Sequence, residues 1–437
     1  MLRKKKIVFV INYFYPDLAA TSQLMTELTG RLQDDFDITV IAAQPGYAGE
    51  NHDSKKLFEE GYLDSIKVVR IKLPEVNKNS KASRIKYISS YFLLANIALL
   101  KEKGTDVIFT ISQPPVLGGL IGTIGKLLKR SRHIYSVHDF NPEQAQAVAY
   151  TNNQTIFKIA KAVDKLNCSY ADQVLLVGED MAETLRGRFV DKKVPSHTVI
   201  SNWTDEHAIV PLEKDEPAIR EFLETHGLDN KFIVMYSGNL GLYYDLENLI
   251  GVSKQFTDQP DLVFLFIGEG AVKQRIQEYA AQNNLENVKF LPYQPKEFLK
   301  YSLNAADVHL VVNQKGIKGV SVPSKIYGVM AAGKPVLGVL EQGSEVQRLI
   351  FESGAGVVIE PQNYQGVVHA INYLRSLDPA ELKKMGLKGR AYLEKNLTRD
   401  TSINKYRDVL QAIAGTPQLE TSYQAQTEHY KEAVNKK

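Results

Sequence analysis

Phe232-Ile233-Val234-Met235-Tyr236-Ser237-Gly238-Asn239-Leu240-Gly241 decides how this chain is read. Its first five residues form a continuous apolar run, the mark of a strand buried on both faces of a parallel sheet. A glycine-bearing turn follows at once. The chain opens in a similar way, with Ile7-Val8-Phe9-Val10-Ile11 running into Asn12-Tyr13-Phe14-Tyr15-Pro16-Asp17. A pattern that starts at residue 7 and restarts at residue 232 of 437 predicts two α/β halves in series.

Working outward, strands and helices alternate. In the first half strands are expected over 38–42, 68–71, 107–111, 134–137 and 174–177. Helices are expected over 21–32, 87–100, 118–128, 155–167 and 180–188. After residue 232 a helix is expected over 246–256, with strands over 263–267, 288–291, 308–312 and 335–339. Each half thus reads as a parallel, doubly wound sheet. The polar stretch Ser201-Asn202-Trp203-Thr204-Asp205 and the acidic, proline-bearing residues to Pro217 mark the join. The expected division is a first Rossmann-like domain over 1–203 and a second over 204–395, facing across a cleft. A helix over 396–414 would pack back on the first domain. The tail over 415–437 is polar, without apolar periodicity, and is expected to be flexible.

Composition narrows the function classes. Hydrophobic residues make up 44% and charged residues 24%, as in globular proteins, and the net charge of +3 excludes a molecule built wholly for nucleic acid. Cys168 is the single cysteine, so no intrachain disulfide or cysteine-based metal site can form. Met1-Leu2-Arg3-Lys4-Lys5-Lys6 precedes an apolar run too short for a leader and without a small-residue cleavage site. The apolar run over 91–100 is about half a membrane span, and that over 114–128 is broken by glycines and carries Lys126. A cytoplasmic protein is expected. The helices over 87–100 and 114–128, beside Lys129-Arg130-Ser131-Arg132, could rest on the inner face of the plasma membrane, or simply pack on the sheet.

The candidate site residues lie at strand ends. Gly319-Val320-Ser321-Val322-Pro323-Ser324-Lys325 leads from one buried strand into a helix, with Pro323 and Ser324 suited to its first turn. A helix start offers unpaired N–H groups to a diphosphate, and Lys325 could add a full charge. A plain loop-to-helix junction with a solvated lysine would look the same locally. Gly238, Asn239, Leu240 and Gly241 follow a strand, as does Gly268 in Ile267-Gly268-Glu269-Gly270, and glycines there let backbone approach a phosphate. Glu345 suits a ribose diol or, equally, a helix N-terminal acid. The loop from Asn12 to Gln23, with Tyr15 and Thr21, suits a cleft lining. His138-Asp139 at a strand end is a candidate catalytic pair or a structural cap. No H-E-x-x-H or Cys/His cluster exists, so no protein-held metal and no cofactor are expected.

Taken in order, these segments resemble the family-4 retaining glycosyltransferases, nearest the colanic-acid, exopolysaccharide and O-antigen branch. The carriers are Asn12 to Asp17, Gln44-Pro45-Gly46-Tyr47, His138-Asp139, Ser201-Asn202-Trp203, Tyr236 to Gly241, and Val322-Pro323-Ser324-Lys325 through Ala331-Ala332-Gly333-Lys334-Pro335. The resemblance runs from about residue 7 to about residue 410. It implies a GT-B fold, a nucleotide-sugar donor held by the second domain, and a saccharide or polyprenyl-linked saccharide acceptor on the first. It implies retention at the anomeric carbon without a bound metal, with UDP-sugar favoured over GDP-sugar. By position Lys325 and Ser324 would hold the diphosphate, Gly238 to Gly241 would approach it, Glu345 would bind ribose, and His138 would sit by the donor sugar.

One departure stands out. Many members carry an E-x7-E pair whose positions are Val320 and Gly328 here. The basic pair that many members place after the second half's first strand is also missing; Asn239 and Tyr244 stand near those places. Two other readings follow: a nonhydrolysing sugar-nucleotide epimerase, and a GT-B protein that binds nucleotide without turnover.

Overall fold

The computed structural model describes residues 3–17, 19–45, 56–76, 80–147 and 153–415. Gly46 and Tyr47, and the expected tail beyond Gly415, lie outside the described residues.

The first sheet has eight strands: β1 (Lys6–Val10), β2 (Asp37–Ala43), β3 (Phe58–Leu63), β4 (Ile66–Ile71), β5 (Val107–Ile111), β6 (Arg132–Val137), β7 (Gln173–Leu176) and β8 (His197–Val199). Their order is β3-β4-β2-β1-β5-β6-β7-β8. The helices between them are α1 (Ala20–Leu32), α2 (Lys81–Lys101), α3 (Leu117–Lys129), α4 (Glu143–Ala147), α5 (Gln154–Tyr170) and α6 (Glu179–Arg188). β1 pairs parallel with β2, Ile7 facing Ile38. Each expected strand of this half is present. Two strands were not expected, the three-residue β8 and β3, which runs antiparallel to β4 in an edge hairpin. Its sequence, Phe-Glu-Glu-Gly-Tyr-Leu, carries charge and glycine in place of an apolar run, because an edge strand of this kind is mostly solvated.

The second sheet has six strands: β9 (Phe232–Ser237), β10 (Leu262–Ile267), β11 (Val288–Leu291), β12 (Val308–Val312), β13 (Val336–Val339) and β14 (Gly356–Ile359). Its helices are α7 (Pro217–Thr225), α8 (Leu246–Leu249), α9 (Lys273–Gln282), α10 (Leu299–Asn304), α11 (Lys325–Ala331), α12 (Glu345–Ser353), α13 (Tyr364–Ser376) and α14 (Pro379–Asn396), and α15 (Arg399–Ala414) follows. The order β11-β10-β9-β12-β13-β14 has a physical consequence. The chain winds outward from β9 to β11, then returns to lay β12 on the other side of β9. The switch point of this sheet is therefore at the carboxyl ends of β9 and β12, where open α/β sheets bind ligands. β10 and β12 are buried along their whole length, which is why β10 is an unbroken apolar run and β12 is apolar but for the buried His309.

Two expectations change here. The helix expected over 246–256 divides into α8 and a 3-10 segment, Ile250–Phe256, with helix-weakening Gly251 near the junction. The acidic stretch read as a connection ends in α7, whose Pro217 occupies the first turn, where no N–H is needed.

By contact the chain separates into two compact units. One comprises Met1–Phe109, Gly122–Ile134 and Ile403–Lys437. In it α15 is anchored by Arg407, whose Nε donates to Asp35 at 2.8 Å, and by Tyr406 against Phe109. The other comprises Thr110–Ile121 and Tyr135–Ser402, so residues 135–202 group with the second half. Among the described residues no helix is long and apolar enough to cross a membrane.

Candidate active site

The second unit gathers most of the expected site residues. β9 delivers its chain into a turn that only glycine can make. Gly238 has φ +139°, and Gly268, at the end of the neighbouring β10, has φ +141°. Both values lie in backbone space that side chains disfavour. A methyl group at Gly268 would strike the Gly238 carbonyl, and one at Gly270 would strike that of Leu240. Leu240 N–H donates to Glu269 O at 2.8 Å, and its own carbonyl accepts from Val272 at 3.0 Å, so the two strand ends are stitched together. Tyr236 Oη donates to Asn239 O at 2.7 Å beneath the turn. The backbone N–H groups of Asn239 and Gly241 donate to nothing among the described residues.

Lys325 begins α11 and comes to the same place. Its Cε lies 2.5 Å from where a Gly238 methyl would stand. Its Nζ sits 3.9 Å from the Tyr244 ring centre and 5.0 Å from that of Tyr236. Among the described residues it has no carboxylate partner. Part of the side chain still meets solvent, but the ammonium end is packed among protein atoms, and that desolvation pushes it down to about 7. An ammonium held this way is short of an anion. Ser324 is exposed and occupies the cap position in helical conformation without a side-chain cap hydrogen bond. Pro323 is buried before it.

β6 delivers His138 and Asp139. Ser112, at the end of β5, accepts from both of their backbone N–H groups, at 3.1 and 3.2 Å. His138 is buried, its Nε2 3.3 Å from Ser136 Oγ, and burial pushes it down to about 4, so the imidazole is neutral. Asp139 pairs in backbone fashion with Ser321, four residues before Lys325, and Phe140 N–H donates to Val320 O at 2.8 Å. The Asp139 carboxylate is pushed up by burial, opposed by hydrogen bonds from Ser321 and Gln144. The histidine segment and the lysine segment are thus clipped to each other.

Behind them Arg188 is buried against Phe140, with Asp164 at 2.6 Å and Glu143 at 2.5 Å. Tyr135 Oη donates to the other oxygen of Asp164 at 2.8 Å. This charged network fixes the 139–143 segment from below.

Glu345 stands in a different setting from the open edge expected for a ribose ligand. It is 2% exposed. Its Oε2 accepts from Glu179 N–H at 3.0 Å and its Oε1 from Arg348 at 2.6 Å. The neighbouring Asp180 accepts from Gly319 N–H at 3.0 Å and Glu345 N–H at 3.1 Å. Gly319 has φ +69°, so Asp180 holds a glycine turn and the start of α12 together. Tyr15, in the β1–α1 connection, and Thr21, in the first turn of α1, belong to the other unit; Tyr15 is 53% exposed and its N–H donates to Thr26 Oγ1 at 3.2 Å.

Sequence reasoning missed Ser112, Asp180 and the aromatic pair Tyr236 and Tyr244 as site elements. Ser112 and Asp180 follow strand ends closely, a signal that existed. The rings became legible only once the lysine was placed over them. Among the described residues no cluster of three or more His, Cys, Asp or Glu side chains could hold a metal.

Residues 219–392 match the family of glycosyl transferases group 1. Two relatives span almost the whole chain. WbjE of Pseudomonas aeruginosa, named as a glycosyltransferase, is 26% identical over 92% of this chain and 96% of its own. WcaI of Escherichia coli (strain K12), named as a colanic acid biosynthesis glycosyl transferase, is 25% identical over 92% of this chain and 98% of its own. Solved structures share the fold. Sucrose-phosphate synthase from Thermosynechococcus elongatus superposes with a TM-score of 0.73 at 18% identity, covering 94% of this chain and all of that one. Anabaena HepE, in complex with UDP and glucose, superposes at 0.68 and 16% identity, covering 93% of this chain and 99% of that one.

Proposed function

We propose, from the premise that this chain is a glycosyltransferase of GT-B fold carrying a group 1 domain, that it is a retaining, metal-independent hexosyltransferase using a nucleoside-diphosphate sugar. Lys325 carries the reading: an ammonium packed against a glycine turn at the switch point of the sheet, with no carboxylate beside it among the described residues. A diphosphate there would receive that charge together with the Asn239 and Gly241 N–H groups. Charge develops on this group as the glycosidic bond to phosphate breaks, so a fixed cation lowers the barrier. It supplies positive charge that a metal ion supplies elsewhere, which supports metal independence. His138, neutral and buried, offers a hydrogen bond beside the donor sugar without adding charge.

The retaining course follows from the family resemblance. A uridine donor is favoured, because HepE, which shares the fold, was solved with UDP. The acceptor, in our reading, is a saccharide of cell-surface polysaccharide synthesis linked to a polyprenyl lipid at the inner membrane face; the colanic acid biosynthesis in the name of WcaI supports it.

The test is a thermal-shift series with UDP, GDP, ADP and dTDP, with and without EDTA. A ligand of the native state raises its melting temperature by mass action. A shift with UDP that EDTA leaves unchanged is expected. Loss of the shift in EDTA would overturn metal independence, no shift with any nucleotide would overturn the donor site itself, and a shift without turnover of any UDP-sugar would leave the non-catalytic reading standing. Transfer followed by NMR of the product's anomeric centre tests retention.

A further inference from the structure

A crowded ammonium is usually held by a carboxylate, which also cancels its charge. Lys325 is held by rings. Its Nζ lies over the Tyr244 ring, 3.9 Å from the centre, and 5.0 Å from the centre of the Tyr236 ring. The two ring centres stand 6.0 Å apart and the planes are inclined by 56°, so they form the walls of a corner. The face of an aromatic ring attracts a cation through its quadrupole. Both phenols keep their protons. Burial pushes each hydroxyl up; the Asp139 carboxylate and the Tyr293 and Tyr243 hydroxyls add to this at Tyr244, and Tyr244 and Tyr293 add to it at Tyr236. The corner is therefore uncharged. It holds the ammonium and leaves its charge for an incoming anion.

Tyr244 is itself well placed. It ends the 3-10 turn Leu242–Tyr244. Before it, the Tyr243 carbonyl accepts from Gln314 N–H at 2.8 Å, just past the end of β12, the other strand of the switch point. After it, Asp245 takes a left-handed φ of 52° and accepts from Tyr364 Oη at 2.6 Å. The ring edge lies on the glycine turn: its Cε2 is 3.5 Å from where a Gly241 methyl would stand. Tyr236 is fixed below by its hydrogen bond to the Asn239 carbonyl at 2.7 Å. Strand β9, the turn after it and the end of β12 thus aim two ring faces at one ammonium delivered by α11.

We propose that Tyr244 is a positioning residue for the donor diphosphate: its ring face, with that of Tyr236 beside it, holds the Lys325 ammonium over the Gly238 turn before the donor arrives. The inference rests on the reading of Lys325 as the diphosphate cation. A lysine carries its charge on a flexible four-carbon stem. Left loose, that stem would have to be ordered when UDP binds, which weakens binding. A carboxylate would order it too, but would compete with the phosphate oxygens. A neutral ring orders it without competing.

The test is calorimetry of UDP binding across pH 6 to 8.5, for the full chain and for Tyr244→Leu, Tyr244→Phe, Lys325→Met and the double variant Tyr244→Leu with Lys325→Met. Tyr244→Leu should weaken UDP binding roughly five- to ten-fold, the weight of ordering one long side chain. Its affinity should also begin to fall about half a pH unit lower than in the unmodified chain, because a ring favours the ammonium over the amine. Tyr244→Phe keeps the ring and should recover most of the affinity and the original pH profile. On the Lys325→Met background the leucine substitution should cost nothing further, because the ring acts through the ammonium. An equal loss from Tyr244→Leu with and without the lysine overturns the proposal, since a merely structural tyrosine would behave that way. A loss in Tyr244→Phe as large as in Tyr244→Leu also overturns it, and this comparison stands on Tyr244→Phe against the unmodified chain if the leucine variant does not fold. Failure of the donor-site reading shows separately, as normal UDP binding by Lys325→Met.

Discussion

Gly238 and Lys325 stand so close that a methyl group on the glycine would fall 2.5 Å from the lysine Cε. Neither residue is free to change alone. The glycine turn leaves the space, and the lysine fills it with charge. Gly238→Ala is therefore expected to fail twice, by forcing a side chain into φ +139° and by displacing the ammonium. The backbone strain costs about 1–3 kcal/mol. Denaturant melts should show that loss, and calorimetry should show UDP affinity falling with it. Unchanged affinity would mean the turn does not face the diphosphate.

Lys325→Met separates stability from function. The native ammonium sits at about 7, below its ordinary 10.5. Between those values the unfolded chain holds a proton that the native chain has released, so stability from this group rises with pH across that window. Below about pH 7 the native state bears the full cost of a crowded charge. The methionine variant should thus melt higher than the unmodified protein, most clearly at pH 6, with the gain fading toward pH 10. It should bind UDP more weakly by about 1.5–3 kcal/mol, the scale of a hydrogen bond to a charged group. In the unmodified protein UDP affinity should fall as pH rises above 7, since binding then requires proton uptake. A methionine variant that gained no stability and bound UDP normally would remove Lys325 from the site.

The sequence showed the sheet order's consequence only in part. Buried central strands such as β10 and β12 announce themselves, because both faces are apolar. The edge strand β3 does not, and neither does half-buried β14. Among site residues, Gly238, Gly268 and Lys325 were legible as glycine or charge at strand ends. Asp180 also stands close to a strand end, but its work is to accept N–H groups from Gly319 and Glu345, more than 130 residues away in sequence. Such long-range pairing leaves no local pattern.

Glu345 tests that limit. Its carboxylate joins Glu179 and Arg348, and we expect it to position the α12 start without touching ribose. Glu345→Ala should lower stability by about 0.5–1.5 kcal/mol, the net worth of a hydrogen bond to a donor that water can reach. UDP and its 2′,3′-dideoxy analogue should lose affinity equally. A loss confined to the ribonucleotide would return Glu345 to the ribose.

Burial opposes the charging of His138 and pushes it down to about 4, so its imidazole is neutral around pH 7. The transfer rate should therefore show no histidine limb between pH 5.5 and pH 8, where an ordinary imidazole titrates near 6.5. His138→Ala should lower kcat by about 10²–10³, the scale of removing one preorganised donor from a reacting centre, and leave UDP affinity nearly unchanged. Ser112→Ala removes the acceptor of the His138 and Asp139 N–H groups without touching the imidazole, so it should lower kcat less. Rates at saturating donor across pH 5 to 9 for the three proteins decide the matter. A bell centred on 6.5 would make His138 a titrating acid or base. A UDP affinity that fell in step with kcat would make it part of donor binding.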